Sequence, residues 1–514
     1  MDIASAKSSL SSSSSTSTWS KVAEQTPEET EAARLLDIHL GLLRLGPSQK
    51  ELQDATTAPM LTMTVLKHAN AEAVATGDSS PAFPQYGLLA GITETGQKRS
   101  KEQSPQLIDD PRVFFNVAAP SSTFICGSQG SGKSHTLSCL LENCLIPSDT
   151  NKLPRPFMGL VFHYDTFICH GGGSPCEAAS LSSDPNIKVR VLCSPTNFRT
   201  IKRTYHAFSN ITVEPLRVSE ENLNTRCMLD LMAVSRGDGP MPLYLHAVYR
   251  ILREMRITDQ EMGTGFSYAT FKDRIADTEM TPAQLSPLTQ RLDTLESFMP
   301  NTHTGAIFPR KGKPVRQYGN DWTPNPGTLT IVDLSCPCVT PEGACSLFNR
   351  CLSIFLEQDM SLRRVIALDE AHKFMNESAE AQTLTETLLS TIRLQRHLAA
   401  RVIISTQEPT ISQDLLGSAA ASDMAESEAD ADDQDADLAK GLISGAKGHT
   451  SSEIFKKIVG LEVGEALVFS PTAMIGVGGT SNGGSRYIKL GTGVLKVRVR
   501  ARLTADGGKS NMAA

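Results

Sequence analysis

Residues 127–134 read Gly127-Ser128-Gln129-Gly130-Ser131-Gly132-Lys133-Ser134, a complete G-x-x-x-x-G-K-[ST] pattern. Few octapeptides constrain a fold so strongly. The apolar run Thr123-Phe124-Ile125-Cys126 leads in, and His135-Thr136-Leu137-Ser138-Cys139-Leu140-Leu141 leads out with helical composition. Strand, glycine loop and helix are the setting in which this pattern cradles phosphate. The glycines let successive backbone N–H groups turn towards phosphate oxygens, and the N-terminus of the helix opened by His135 adds a favourable dipole. In that setting Lys133 reaches the β- and γ-phosphates of ATP and Ser134 ligates Mg²⁺.

A phosphate loop predicts binding; hydrolysis needs acids. Val365-Ile366-Ala367-Leu368-Asp369-Glu370 places two carboxylates directly after an apolar strand. In a parallel sheet that strand end lies beside the phosphate loop. Asp369 is then the second holder of the Mg²⁺ shell, with Ser134, and Glu370 the group that polarises the attacking water. The next strand, Arg401 to Thr406, is followed by Gln407, placed to sit between Glu370 and the γ-phosphate. Arg393 and Arg396 stand on a helix just before it, either as solvated surface charges or as fingers reaching a neighbouring subunit's γ-phosphate.

Strands alternate with helices from 328 onwards in near-continuous apolar runs, which predicts a mainly parallel sheet covered by helices on both faces, an α/β P-loop core. The expected organisation is a Ser-rich disordered tail, a short helix over 26–45 and a linker in 1–105; the first part of the core in 106–166; and a mainly helical insertion in 167–325. The second part of the core follows in 326–412, an acidic low-complexity segment in 413–450, closing strands in 451–505 and a tail in 506–514. Residues 76–111 read as linker or loop, and 200–325 as helical, with Leu245, Val248, Leu252 and Met255 on one core-facing stripe.

Net charge is −7, yet eight acids without a base stand between Asp423 and Asp437, so the remainder is close to neutral. That run reads as a solvated loop; an EF-hand reading fails because no Gly and terminal Glu stand at the required offsets. Lys496, Arg498, Arg500 and Arg502 alternate with smaller residues, which predicts four cations on one strand face, a candidate track for double-stranded DNA or a solvated edge. Eleven scattered cysteines suit reduced thiols in an intracellular protein of cytoplasm or nucleus. Cys169-His170 and Cys176 have metal-ligand side chains, although free thiols in a loop are the simpler reading. No run approaches a membrane span, and Asp2 with no Arg before Arg34 argues against a transit peptide.

Four stretches together resemble the HerA/FtsK superfamily of ring-forming ATPases, which includes the conjugative-transfer ATPases: 129–134, 329–335, 368–374 and 392–407. Leu461 to Val468 also resembles that family's late Gly-Glu-Ala turn. The resemblance implies ATP and Mg²⁺ as cofactors and a homo-oligomer, typically a hexamer, that pulls DNA through a channel. It implies Gly127 to His135 as the nucleotide cradle with Lys133 in catalysis, Asp369 and Glu370 as the hydrolytic acids, Gln407 as sensor, and Arg396, or else Arg393, as the finger. Asp369-Glu370-Ala371-His372 also spells the DEAH box of RNA helicases, but their Ser-Ala-Thr motif and second lobe are missing. An ATPase that remodels protein partners is the competing reading. The chain departs from the family after Ser412, where Ala-, Ser- and Asp-rich sequence takes the place of a further core strand and helix.

Overall fold

The structure is a computed structural model. It describes residues 47–75, 80–95, 110–166, 173–225, 228–229, 243–300, 319–358, 362–408, 423–426, 451–479 and 485–505. The expected tail over 1–20 and the helix over 26–45 lie outside the described residues. The chain divides into Met1–Gln53, described from Pro47 only as the start of a helix, and Asp54–Ala514, which carries everything below.

In chain order the strands are β1 (Met60–Thr62), β2 (Tyr86–Thr95), β3 (Arg112–Phe115), β4 (Ser122–Cys126), β5 (Asn151–Lys152), β6 (Met158–His163), β7 (Lys188–Cys193) and β8 (Ile211–Pro215). They continue as β9 (Thr328–Asp333), β10 (Arg364–Leu368), β11 (Ala400–Thr406), β12 (Asp423–Glu426), β13 (Glu465–Phe469), β14 (Met474–Gly479), β15 (Ser485–Lys489) and β16 (Leu495–Val499). All join one sheet. From β12 through β4, β11, β10, β6, β9 and β7 to β8, every neighbour is parallel. Beyond β12 the order β13, β16, β2, β3, β1 is antiparallel throughout.

The apolar runs make the parallel half double-faced. Along β10, Val365 and Ala367 enter a core shared with the helix Lys133–Leu145, whose Leu137, Leu140 and Leu141 are buried. Ile366 and Leu368 enter a second core beneath the helices Pro341–Leu356 and Ala379–Arg393. Full burial of each Val, Leu or Ile side chain contributes about 1.5–3 kcal/mol, and of Ala367 less. A third core lies among the helices Leu243–Met262, Tyr268–Ala276 and Pro282–Ser297, where Leu245, Val248, Leu252 and Met255 all face inward.

Four expectations are corrected. Tyr86–Thr95 is a ten-residue strand where 76–111 read as linker; its glycines and short polar flanks masked a strand that pairs on both sides. Ile211–Pro215 interrupts the helical stretch and adds the last parallel strand. Asp423–Glu426, the start of the supposed solvated loop, is the strand that joins the two halves, parallel to β4 and antiparallel to β13. Backbone N–H and C=O groups make that ladder, so even an acidic run can supply it when both neighbours would otherwise lack partners. The rest of the acidic run lies outside the described residues.

The fourth correction concerns the basic residues at the C-terminal end. The strand stops at Val499, and each cation meets an acid: Lys496 and Arg498 meet Glu465 at 2.9 and 3.3 Å, Arg500 meets Glu142 at 2.7 Å, and Arg502 meets Glu177 at 2.9 Å. They are structural ties between distant segments. Among the described residues no helix is long and apolar enough to cross a membrane, and none of the cysteines is in a disulfide.

Candidate functional site

The phosphate loop connects β4 to the helix that begins at Lys133. Gly130 and Gly132 have φ of 83° and 113°, a left-handed backbone that a Cβ would strain. Gly132 occupies the helix N-cap position without a side-chain acceptor, so the first N–H groups face the loop and remain available to an anion. Lys133 is buried and donates from Nζ to the Ser128 carbonyl at 2.8 Å, closing the loop on itself. The His135 side chain does not turn to the loop. Its Nε2 lies 2.8 Å from the Arg500 carbonyl.

Strand order decides what meets this loop. β11 lies beside β4, and β10 beside β11, all parallel, so their C-terminal ends share one edge. Asp369 and Glu370 follow β10 and Gln407 follows β11, as the strand-end reading requires. Gln407 donates from Nε2 to Glu370 Oε2 at 2.8 Å. His372 Nε2 is 3.5 Å from the same oxygen, and burial holds the His372 imidazole below its ordinary pKa despite the nearby Glu370 and Glu408 carboxylates. Glu370 has φ of 50°, an uncommon conformation for a non-glycine residue that places its carboxylate between Gln407 and His372.

Asp369 is 3 % exposed. One oxygen, Oδ2, accepts from His163 Nδ1 at 3.1 Å and from the Cys176 thiol at 3.6 Å. The other, Oδ1, is buried with no hydrogen-bond partner among the described residues. Burial alone would raise the Asp369 carboxyl, but the hydrogen bond and charge of His163, with the Cys176 thiol and Lys373, hold it below the ordinary carboxylate value. A buried anionic oxygen without a donor, at the same strand edge as Ser134, fits a cation or its water shell. Ser134 and Asp369 are thus the residues that would hold Mg²⁺.

Sequence reasoning did not single out His163 or connect Cys176 to the acids. His163 ends β6, where it pairs in register with Asp333 on β9, while the backbone N–H of Asp369 donates to Phe162. Burial opposes charge on His163, yet Cys176, Asp369 and Asp333 around it hold its pKa well above the ordinary imidazole value. Burial and the Asp369 carboxylate push the Cys176 thiol up to about 12. A polar residue closing an apolar strand next to the one that carries the two acids, and a cysteine among metal-ligand residue types, are the signals that pointed here. Cys169 and His170 lie outside the described residues.

Arg393 and Arg396 are not part of this cluster. Both are exposed, and among the described residues neither forms an ion pair. They precede the start of β11, and Gln395 between them accepts from Ser122, the first residue of β4, at 3.0 Å. The seven residues of β11 separate them from Gln407, roughly 20 Å at about 3.3 Å per residue. They do not reach the loop of their own chain.

No protein-family model and no curated protein matches the chain. Among solved structures, VirB4 of Thermoanaerobacter pseudethanolicus is similar over 78 % of this chain and 96 % of its own, at 12 % identity and a TM-score of 0.43. The plasmid coupling protein TrwB in complex with ADP and Mg²⁺ is similar over 84 % and 97 %, at 14 % identity and a TM-score of 0.44. A trigonal form of the conjugative coupling protein TrwBΔN70 in complex with sulphate is similar over 82 % and 96 %, at 15 % identity and a TM-score of 0.44. The similarity is one of fold.

Proposed function

We propose that this chain binds ATP with Mg²⁺ and hydrolyses it. The observation that carries the reading is the convergence on one sheet edge of the Gly127–Ser134 loop, the Asp369-Glu370 pair and Gln407, with Gln407 hydrogen-bonded to Glu370 at 2.8 Å. In this reading the loop N–H groups and Lys133 take the phosphates, and Lys133 exchanges its bond to Ser128 for one to the β- and γ-oxygens. Ser134 and Asp369 would hold Mg²⁺, which would supply charge neutralisation for the transferred phosphoryl group. Glu370 orients and deprotonates the attacking water. Gln407 holds Glu370 aside until a γ-phosphate offers it another partner, so hydrolysis waits for bound nucleotide. Arg396 or Arg393, exposed and remote from its own loop, acts in a neighbouring copy of the chain, which makes the active form an oligomer, a hexameric ring in the family the motifs resemble.

Double-stranded DNA as the track is the finer part of the proposal and rests on the motif resemblance. The pairing of Lys496, Arg498, Arg500 and Arg502 with acids favours the second reading, an ATPase acting on protein partners, because it removes the clearest basic face. Steady-state ATP hydrolysis with and without long double-stranded DNA separates the two, with Glu370→Gln as the blank. Stimulation that vanishes in that variant and weakens with salt supports the motor. Turnover indifferent to DNA rules the motor out and leaves the protein-directed ATPase.

A further inference from the structure

Three buried side chains from three separate parts of the chain converge at the first of the two acids: His163 at the end of β6, Cys176 just before the turn Glu177–Ser183, and Asp369 after β10. Their ligand atoms lie within 4.8 Å of one another, and all three residues are buried. We propose that His163, Cys176 and Asp369 form a binding site for a thiophilic divalent cation of the zinc class, separate from the Mg²⁺ position.

The geometry suits such an ion. Tetrahedral zinc, with nitrogen and oxygen about 2.0–2.1 Å away and sulfur about 2.3 Å away, sets ligand–ligand edges of about 3.3 Å between nitrogen and oxygen and about 3.6 Å between oxygen and sulfur. The corresponding separations are 3.1 Å from His163 Nδ1 to Asp369 Oδ2 and 3.6 Å from Cys176 Sγ to the same oxygen. The donor set selects the ion: one imidazole, one thiolate and one carboxylate favour zinc, whereas Mg²⁺ and Ca²⁺ favour oxygen alone. Charge balances as well, since a divalent cation neutralises one thiolate and one carboxylate beside a neutral imidazole. The cation would replace the proton between His163 and Asp369 and the proton on sulfur.

The surroundings are built to hold these ligands. The Cys176 N–H donates to the Tyr205 hydroxyl at 2.9 Å, and that hydroxyl donates to Asp333 Oδ2 at 2.7 Å, which fixes the backbone that presents the sulfur. The proposed ion takes Oδ2 and leaves Oδ1 for the position assigned above to Mg²⁺, so it would fix the acid from behind.

The test uses the full chain without nucleotide, stripped with chelator and titrated with Co²⁺ as the spectroscopic probe. The expected result is one equivalent bound, with the visible absorption of tetrahedral Co²⁺ and a thiolate-to-cobalt charge-transfer band, both displaced by Zn²⁺. Cys176→Ser and His163→Gln should each weaken binding at least tenfold, with far-UV circular dichroism reporting that they fold. If neither folds, slow alkylation of the chelator-stripped wild type through native-state opening supplies the check: one equivalent of Zn²⁺ should slow modification of the buried Cys176, read by mass spectrometry, at least tenfold. No thiolate band in the wild type, an equal band in Cys176→Ser, or no protection overturns the site and leaves the trio as a hydrogen-bonded support for Asp369. None of these readouts needs ATP, so failure of the cation site and failure of the ATPase reading are separate results.

Discussion

Removing the Glu142 carboxylate tests how the C-terminal segment is tied to the phosphate-loop helix. Glu142 lies on that helix and is 0 % exposed. It accepts from Arg500 at 2.7 Å, from the Leu503 N–H at 3.0 Å, from the Thr504 N–H at 3.0 Å and from the Thr504 hydroxyl at 2.7 Å. Glu142→Ala leaves the Leu503 N–H and the Thr504 N–H and hydroxyl without their acceptor and removes the carboxylate from a largely buried guanidinium, which keeps its bonds to the Leu88, Ala501 and Cys139 carbonyls and to Asn143. Breaking a buried ion pair from one side costs about 3–5 kcal/mol, and each stranded donor about 1–3 kcal/mol more if nothing moves. The segment can instead lift off and hydrate, which keeps the loss near the lower end of that range, about 3 kcal/mol. At about 1.4 kcal/mol per factor of ten, amides around 500–505 should exchange about a hundredfold faster in Glu142→Ala, measured by hydrogen exchange and mass spectrometry. A cycle with Arg500→Met should show coupling of at least about 1 kcal/mol. Exchange faster by less than about threefold, or additivity within about 0.5 kcal/mol, would refute the assignment of Glu142 as the anchor.

The other predictions concern the site and its supports. Glu370→Gln should lower ATP turnover by about 10²- to 10⁴-fold with nucleotide affinity within a few-fold of wild type, since a positioned base accounts for about that much of the rate; turnover above a tenth of wild type removes Glu370 from the mechanism. Gly132→Ala forces a Cβ into a φ of 113°, a strain of about 1–3 kcal/mol at the loop that touches phosphate, so a fluorescent ATP analogue should bind at least tenfold more weakly. Glu465 links β13 to β16 through Lys496 and Arg498; burial raises its carboxyl, but the Glu462 N–H and those two cations hold it below its ordinary value of 4.5. A depressed folded-state pKa means that the unfolded chain takes up the proton first, so this stabilisation is complete above 4.5 and fades as the pH falls below it. The melting-temperature gap between wild type and Glu465→Gln should therefore be full at pH 7 and shrink below pH 4.5; a gap constant with pH contradicts the assignment.

The sequence by itself determined the parts whose chemistry is local. A left-handed glycine at 132, a lysine at the first turn of a helix, and paired acids after four apolar residues each declare themselves within a few positions, because backbone sterics and strand-end exposure act over that range. Parallel order could be read from double-faced apolar runs, which is why Lys133, Asp369, Glu370 and Gln407 could be assigned to one edge before any coordinates. Tertiary structure alone decided the rest. His163 meets Asp369 across 206 positions, Cys176 across 193, and Arg500 meets Glu142 across 358. Side chains at such separations carry no periodic mark, since pairing depends on which strand ends fall side by side. The basic residues from Lys496 to Arg502 kept a strand-like alternation in sequence, yet the chain leaves the sheet after Val499 and buries Arg500 against a carboxylate. The acidic Asp423–Glu426 shows the same limit from the other side: the unpaired edges of β4 and β13 recruit it through backbone hydrogen bonds, which its side chains do not encode.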